Sequence, residues 1–220
     1  MRIAYINPNA TEAMTERVTE VVKTLSGTDE VIGYTNVGGP LAIQGPEDGQ
    51  AAIKGVLALV DTAIAEGADA IVIACFDDTG LDAARARSSV PVLGIGQAAF
   101  TMATLLGKRF SVVTSLAVSI PVIEKNIVHQ NFAASCQSVQ ASHLPVLTID
   151  EGSAETRDTL ATAIRTTMAT DGVDTIVLGC AGMAHLLDDL KNRTQGLLLD
   201  GVRASYALAH ACAVYPNSNR

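Results

Sequence analysis

Two stretches decide the fold: GADAIVIACFDDTGLDAA, residues 67–84, and GVDTIVLGCAGMAHLLDD, residues 172–189. At an offset of 105 residues they coincide at Gly67/Gly172, Asp69/Asp174, Ile71/Ile176, Val72/Val177, Cys75/Cys180 and Leu81/Leu186. Each holds a continuous apolar run, with an Asp before it and a Cys after it. A strand apolar on both faces belongs in the middle of a parallel sheet covered by helices. The same offset lays Val92-Leu93 on Leu197-Leu198 and Gly96 on Gly201, and the first strands match at 107, Ile6 on Val113. Any two buried strand-helix units share apolar matches. A cysteine at the same post-strand position in both is a stronger coincidence, and it predicts two pseudo-symmetric lobes.

Outward from these units, strands and helices alternate. Arg2 to Ile6 is a short apolar run stopped at Asn7-Pro8-Asn9, where Pro8 removes a ladder donor. Met14, Val18, Val21, Val22 and Leu25 form one helical stripe, with Asn9 or Thr11 placed to cap it. Val31 to Tyr34 reads as a strand, followed by a loop punctuated at Gly38-Gly39-Pro40 and Gly45-Pro46. Ile53, Val56, Leu57, Val60 and Ile64 share a face of a longer helix, and Pro91 to Ile95 is a further strand. In the second half, Arg109 to Val113 is a strand ending in Thr114-Ser115, and Leu160, Ala163, Ile164 and Met168 make a helical stripe. Gly196 to Leu199 is the last strand, ending in Asp200-Gly201 before an Ala-rich helical run. This alternation is that of a doubly wound α/β fold. The expected lobes are residues 1–96 with the C-terminal helix, about 202–214, and residues 97–201.

Composition narrows the function. The chain has 220 residues, 48% hydrophobic, 4% aromatic with no Trp, and 15 Lys+Arg against 23 Asp+Glu, a net charge of −8. The apolar fraction excludes a disordered chain. The acidic balance opposes a nucleic-acid surface, which needs basic residues against phosphate. No apolar run approaches the ~20 residues that cross a bilayer. The start, MRIAYINPNAT, has no signal-peptide apolar region, so a cytoplasmic location is expected. Thiols stay reduced there, so the four cysteines are not read as a disulfide framework.

Cys75 and Cys180 both follow central strands, and open parallel sheets bind ligands outside the carboxyl ends of their strands. Two lobes facing each other would aim both thiols into one interlobe cleft from opposite sides. That arrangement suits inversion of a stereocentre by proton transfer: one thiolate removes a proton from one face while the opposite thiol delivers to the other. A thiol titrates near pH 8.5 as a reference, so tuning brings both forms within reach of neutral pH. No metal or organic cofactor is then required, provided nearby donors stabilise the substrate anion. Cys136, in a polar loop-like stretch, and Cys212, in the Ala-rich helix, read as packing or surface residues.

These residues carry a resemblance. Ile6-Asn7-Pro8-Asn9, Gly39-Pro40, Ile73-Ala74-Cys75-Phe76-Asp77-Asp78, Arg109-Phe110-Ser111-Val112-Val113-Thr114 and Val177-Leu178-Gly179-Cys180-Ala181-Gly182-Met183 resemble the aspartate/glutamate/hydantoin racemase superfamily, in its hydantoin and allantoin branch. The resemblance spans nearly the whole chain. It implies two flavodoxin-like lobes and cofactor-independent two-base racemisation at the Cα–H of a five-membered cyclic imide or urea ring. Cys75 and Cys180 match the paired catalytic cysteines. Asn7, Thr114 and Ser115 match strand-end positions suited to hydrogen-bond the ring. The Gly182 and Met183 N–H groups, with Ala181 beside them, match donors for a ring carbonyl. Pro40, Ile43 and Phe76 fall in segments expected to touch the substrate, and a homo-oligomer is the expected assembly.

The chain departs from the amino-acid racemases, which follow their cysteines with Asn-Thr to grip an α-carboxylate. Phe76-Asp77 and Ala181-Gly182 stand here instead and favour a neutral ring. Where the hydantoin branch carries a Ser-Ile-Glu-like stretch after Gly-Pro, this chain has Ala42-Ile43-Gln44. An aspartate/glutamate-type racemase, a related decarboxylase or isomerase, and a non-catalytic binding protein are the competing readings. Asp77 and Asp78 are expected to cap the helix starting near Gly80 or to orient backbone. His185, near Cys180, reads as a helix residue, with tuning of the thiolate or binding of substrate as the alternative, and Asp200 as the cap of the last helix, with ordering of the cleft as the alternative. His129, His143 and His210 have no partner at metal-ligand spacing, so no metal is expected.

Overall fold

The computed structural model describes residues 1–215. Its first half runs β1 (Arg2–Asn7), α1 (Glu12–Lys23), β2 (Glu30–Thr35), α2 (Pro46–Ala65), β3 (Ala70–Ile73), α3 (Leu81–Arg87), β4 (Val92–Gly94) and α4 (Ile95–Leu105). The second half runs β5 (Phe110–Thr114), α5 (Ile120–His129), β6 (Cys136–Ala141), α6 (Val146–Glu151), α7 (Ala154–Asp171), β7 (Thr175–Gly179), α8 (Leu187–Arg193), β8 (Leu197–Asp200) and α9 (Gly201–Val214). The strands form two parallel sheets of the same order, β2-β1-β3-β4 and β6-β5-β7-β8. β3 and β7 are central and buried at every residue, as their unbroken apolar runs require.

Strand register tests the overlay of the halves. Ile6 pairs with Ile73 and Val113 with Leu178, so the offsets of 105 and 107 describe equivalent positions. The fourth strand corrects the overlay by one residue. Ile71 faces Val92 and Ile176 faces Leu198, so Val92 answers to Leu198 and Gly94 to Asp200. The glycines opening the two repeats, Gly67 (φ 82°) and Gly172 (φ 65°), are both left-handed, a conformation that stops the preceding helix without a Cβ penalty.

The helices after the two fourth strands are exchanged. α9 leaves the second sheet and packs across β3 of the first, while α4 leaves the first and packs against β7 and β8 of the second. α4 and α9 also pack on each other, so closely that a Cβ on Gly201 would overlap the Ile95 carbonyl. One core cluster therefore runs through both halves, from Ile3 and Tyr5 to Phe110, Val112 and Ala209. All four phenylalanines meet there. Phe100 of α4 stacks on Phe110 at 5.7 Å, meets Phe76 edge-on at 5.5 Å, and touches Phe132 at 5.6 Å. Such ring pairs add about 0.5–1.5 kcal/mol each beyond the area they bury.

Several local expectations change. Ile95 opens α4 rather than ending a strand. Cys136 opens edge strand β6 rather than lying in a loop, and Cys212 is exposed on α9. Neither Asn9 nor Thr11 caps α1 through its side chain. Thr11 Oγ1 donates to the Leu41 carbonyl at 2.7 Å instead, and α1 ends at Lys23, leaving Leu25 exposed. Among the described residues no helix is long and apolar enough to cross a membrane.

Candidate active site

The carboxyl ends of β3 and β7 meet at a small cavity of about 30 Å³ between the lobes. Cys75 and Cys180 both line it. Around them the wall takes Phe76 and Asp77 from the loop after β3, Ile43 from the loop after β2, and Thr114 and Ser115 from the end of β5. Gly179 and Ala181 flank Cys180. Of the residues singled out in the sequence, Cys75, Cys180, Ile43, Phe76, Thr114, Ser115 and Ala181 thus come together here.

The others lie behind this wall. Asn7 is buried and spends its side chain on the turn after β1: its Nδ2 donates to Asn9 Oδ1 at 3.0 Å and Thr15 Oγ1 at 3.0 Å, and its Oδ1 accepts from the Asn9 N–H at 3.1 Å. That network pushes Asn9 forward, and Asn9 lines the cavity in its place. Pro40 accepts from the Ala10 N–H at 2.8 Å and holds the loop that carries Ile43. Met183 donates its N–H to the Cys180 carbonyl at 3.0 Å, and its side chain is fully buried. The Gly182 N–H faces the Cys180 sulfur. Sequence reasoning put none of Asn9, Met14, Ser119 or Val146 at the site, and all four are on the wall. Only the Asn-Pro-Asn turn carried a signal for Asn9. The other three reach the cavity through tertiary packing.

The two sulfurs meet different surroundings. Burial pushes the Cys75 thiol well above its ordinary range, and the Asp77 carboxylate adds to that. Thr79 Oγ1 donates to its sulfur at 3.6 Å and works the other way. Cys180 is pushed up to about 12 by burial, and the Gly182 N–H opposes that, while Asp77 and Asp150 reinforce it. Burial thus favours the thiol form of both.

The acidic pair after Cys75 divides its work. Asp78 is buried in a left-handed conformation (φ 50°) and does not cap the helix near Gly80. It caps α4 instead: Oδ1 accepts from the Gly96 N–H at 2.9 Å and Oδ2 from the Gln97 N–H at 2.9 Å, with Gln130 Nε2 adding 3.2 Å. The reason is steric, because Gly94 and Gly96 leave room there for its carboxylate. Burial pushes Asp78 up to about 6. Asp77 is different. Its Oδ2 is buried without a hydrogen-bond partner, and burial, then the charge of Asp78, pushes it up to about 7. Asp200 caps α9 as expected, accepting from the Arg203 N–H at 2.8 Å. His185 is half-buried in the 3₁₀ turn after Cys180, held below its ordinary value by burial, and does not line the cavity. Among the described residues no group of three or more His, Cys, Asp or Glu stands ready to hold a metal ion.

Two parallel-sheet lobes that close a pair of thiols into one cavity define a class, the two-lobed α/β racemases. The chain belongs to the Asp/Glu/hydantoin racemase family, whose description matches residues 3–209. It is 39% identical over 212 residues to a hydantoin racemase of Rhizobium meliloti, covering 96% of this chain and 88% of that one. It superposes on an allantoin racemase from Klebsiella pneumoniae with a TM-score of 0.90 at 33% identity, covering 96% and 86% of the two chains. An allantoin racemase from Pseudomonas fluorescens gives 0.89 at 29% identity, covering 96% and 90%. The protein is a racemase, and so an isomerase.

Proposed function

We propose that the protein interconverts the enantiomers of 5-substituted hydantoins or of allantoin by proton transfer between Cys75 and Cys180, with no cofactor. The observation that carries this reading is the pair of thiols, one from each lobe, on the wall of one cavity. The thiolate of one cysteine removes the Cα–H, and the ring carbonyls take up the charge of the resulting anion. The thiol of the other delivers its proton to the opposite face. Ser115 and Thr114, at the end of β5, are placed to hold the ring, while Ile43 and Phe76 give it apolar contact. The Gly182 N–H steadies the Cys180 thiolate. Asn7 and Pro40 act through the loops they brace. A ring needs more room than about 30 Å³, roughly one or two waters' worth, so the cavity widens on binding. In this reading residues 1–96 with the C-terminal helix form one lobe, residues 97–201 the other, and the assembly is a homo-oligomer.

The test is direct. An L-5-substituted hydantoin or (S)-allantoin, enantiomerically pure, loses its optical rotation when the protein is added without cofactor. Decay at the buffer rate for both ring classes overturns the reading.

A further inference from the structure

We propose that Thr79 is a positioning residue of this site: its hydroxyl holds the Cys75 sulfur as the anion that takes up or has given the Cα proton. The inference rests on the two-thiol reading above and names a residue that acts through one thiol alone. Thr79 is buried, and its Oγ1 donates to Cys75 Sγ at 3.6 Å. No other acceptor takes that hydroxyl among the described residues. It is the one side-chain donor to either sulfur among them. The other donors are amides, that of Asp77 at Cys75 and those of Gly182 and Met183 at Cys180.

The loop is shaped to bring it there. Asp78 (φ 50°) and Gly80 (φ 76°), on either side of Thr79, are both left-handed, so the chain turns back on the strand end it has just left. The Asp78 N–H closes that turn on the Cys75 carbonyl at 3.0 Å, and the Asp78 carboxylate fixes it to the start of α4. From the second half, Asn126 Nδ2 donates to the Asp77 carbonyl at 2.8 Å. Thr79 is thus carried on a backbone pinned from both halves.

A hydroxyl in this place does what the buried sulfur needs. Burial opposes ionisation of Cys75, and so do the titratable groups that bear on it, Asp77 from its own loop and Cys180 from the other half. A donor aimed at the sulfur works against them, because a hydrogen bond to an anion is stronger than one to the neutral thiol. The hydroxyl proton stays on Thr79 throughout. In one direction of the reaction Cys75 starts as the thiolate and in the other it ends as one, so the same contact serves both. The device belongs to one half only: at the offset of 105, Thr79 answers to Ala184, whose side chain has no donor.

The test compares the full-length wild type with Thr79→Val, which keeps the branched shape and loses the hydroxyl, and Thr79→Ser, which keeps the hydroxyl. For racemisation of the pure rings, Thr79→Val is expected to lower kcat by about threefold to tenfold, with KM within about twofold. Thr79→Ser restores most of the rate. In parallel, alkylation of each cysteine by iodoacetamide at fixed pH is followed by peptide mass. Thr79→Val slows Cys75 about threefold, since a roughly tenfold loss of thiolate is partly offset by its greater nucleophilicity. Cys180 keeps its wild-type rate. If the Val variant folds poorly, Thr79→Ala against Thr79→Ser gives the same comparison. A Val variant as fast as wild type in either assay, a Ser variant as slow as Val, or equal slowing of both cysteines, as a loosened fold would give, overturns the proposal. If wild type racemises neither ring, the reading of function falls, and alkylation of Cys75 against Cys180 alone decides the role of Thr79.

Discussion

The starts of α4 and α9 are equivalent in the two halves, and each receives a carboxylate, but from different places. In the second half the last strand residue, Asp200, caps its own helix. In the first half the equivalent residue is Gly94, and a Cβ there would overlap Asp78 Oδ1. Asp78 comes from the loop after β3 and fills the gap. The consequence reaches the thiols. The loop after Cys75 is committed to acidic residues, while the loop after Cys180 winds into a 3₁₀ turn that offers N–H groups to the sulfur. A pseudo-symmetric scaffold thus carries an unequal pair: the Cys75 sulfur meets the Thr79 hydroxyl and one amide, that of Asp77, the Cys180 sulfur two amides, those of Gly182 and Met183, and the Asp77 carboxylate bears on both.

Four measurements would break or sharpen that contrast. The largest effect is expected from Cys75→Ser and Cys180→Ser, each lowering racemisation by about 10³-fold or more. In D2O each variant should still exchange the α-proton of one enantiomer, and not the same one. A double serine variant that racemises normally would end the two-thiol account.

The next concerns the acidic loop. The value of Asp77 in the fold, about 7, lies above its ordinary 3.8, so folding favours its protonated form. Its contribution is complete below about pH 4 and is lost as pH rises through 7. Asp77→Asn should therefore melt higher than wild type at about pH 8, by roughly 1–3 kcal/mol, and close to wild type at about pH 4. Parallel pH dependences in thermal melts would contradict this.

A smaller loss follows from Asp78→Gly, which keeps the left-handed backbone and removes the cap: about 1–2 kcal/mol by denaturant titration. Adding Gly94→Asp moves the carboxylate to the position Asp200 holds in the other half, and should recover part of that stability. No recovery would show that the two helix starts are less alike than their register implies. Asp200→Ala is expected to cost about 1 kcal/mol in the same titration.

The sequence made the centre of each lobe legible and the join between lobes obscure. β3 and β7 announce themselves because a strand buried on both faces is apolar at every residue, and Cys75 and Cys180 are found by their place after it. The 95–105 helix, α4, escapes pattern reading because it is buried almost all round, with Ala98, Ala99, Phe100 and Ala103 covered by both lobes, so it has no polar face to set a period. Asp78 was legible as a cap but not as the cap of α4, since its partners are 18 and 19 residues on and the glycines that admit it are visible only in three dimensions. Asn7 and Asn9 exchanged places for a similar reason. Both sit in one turn, and only the direction of that turn decides which faces the thiols.

The crossing of α4 and α9 has a consequence for any half of this chain taken alone. A fragment ending at Leu105 would bare the face of β3 that α9 covers, and the remainder would bare the face of β7 and β8 that α4 covers. An isolated half that kept its own last helix could satisfy its sheet only by lending that helix to a second copy and borrowing one in return. The single chain is, in this sense, a helix-swapped dimer whose two members have been tied end to end.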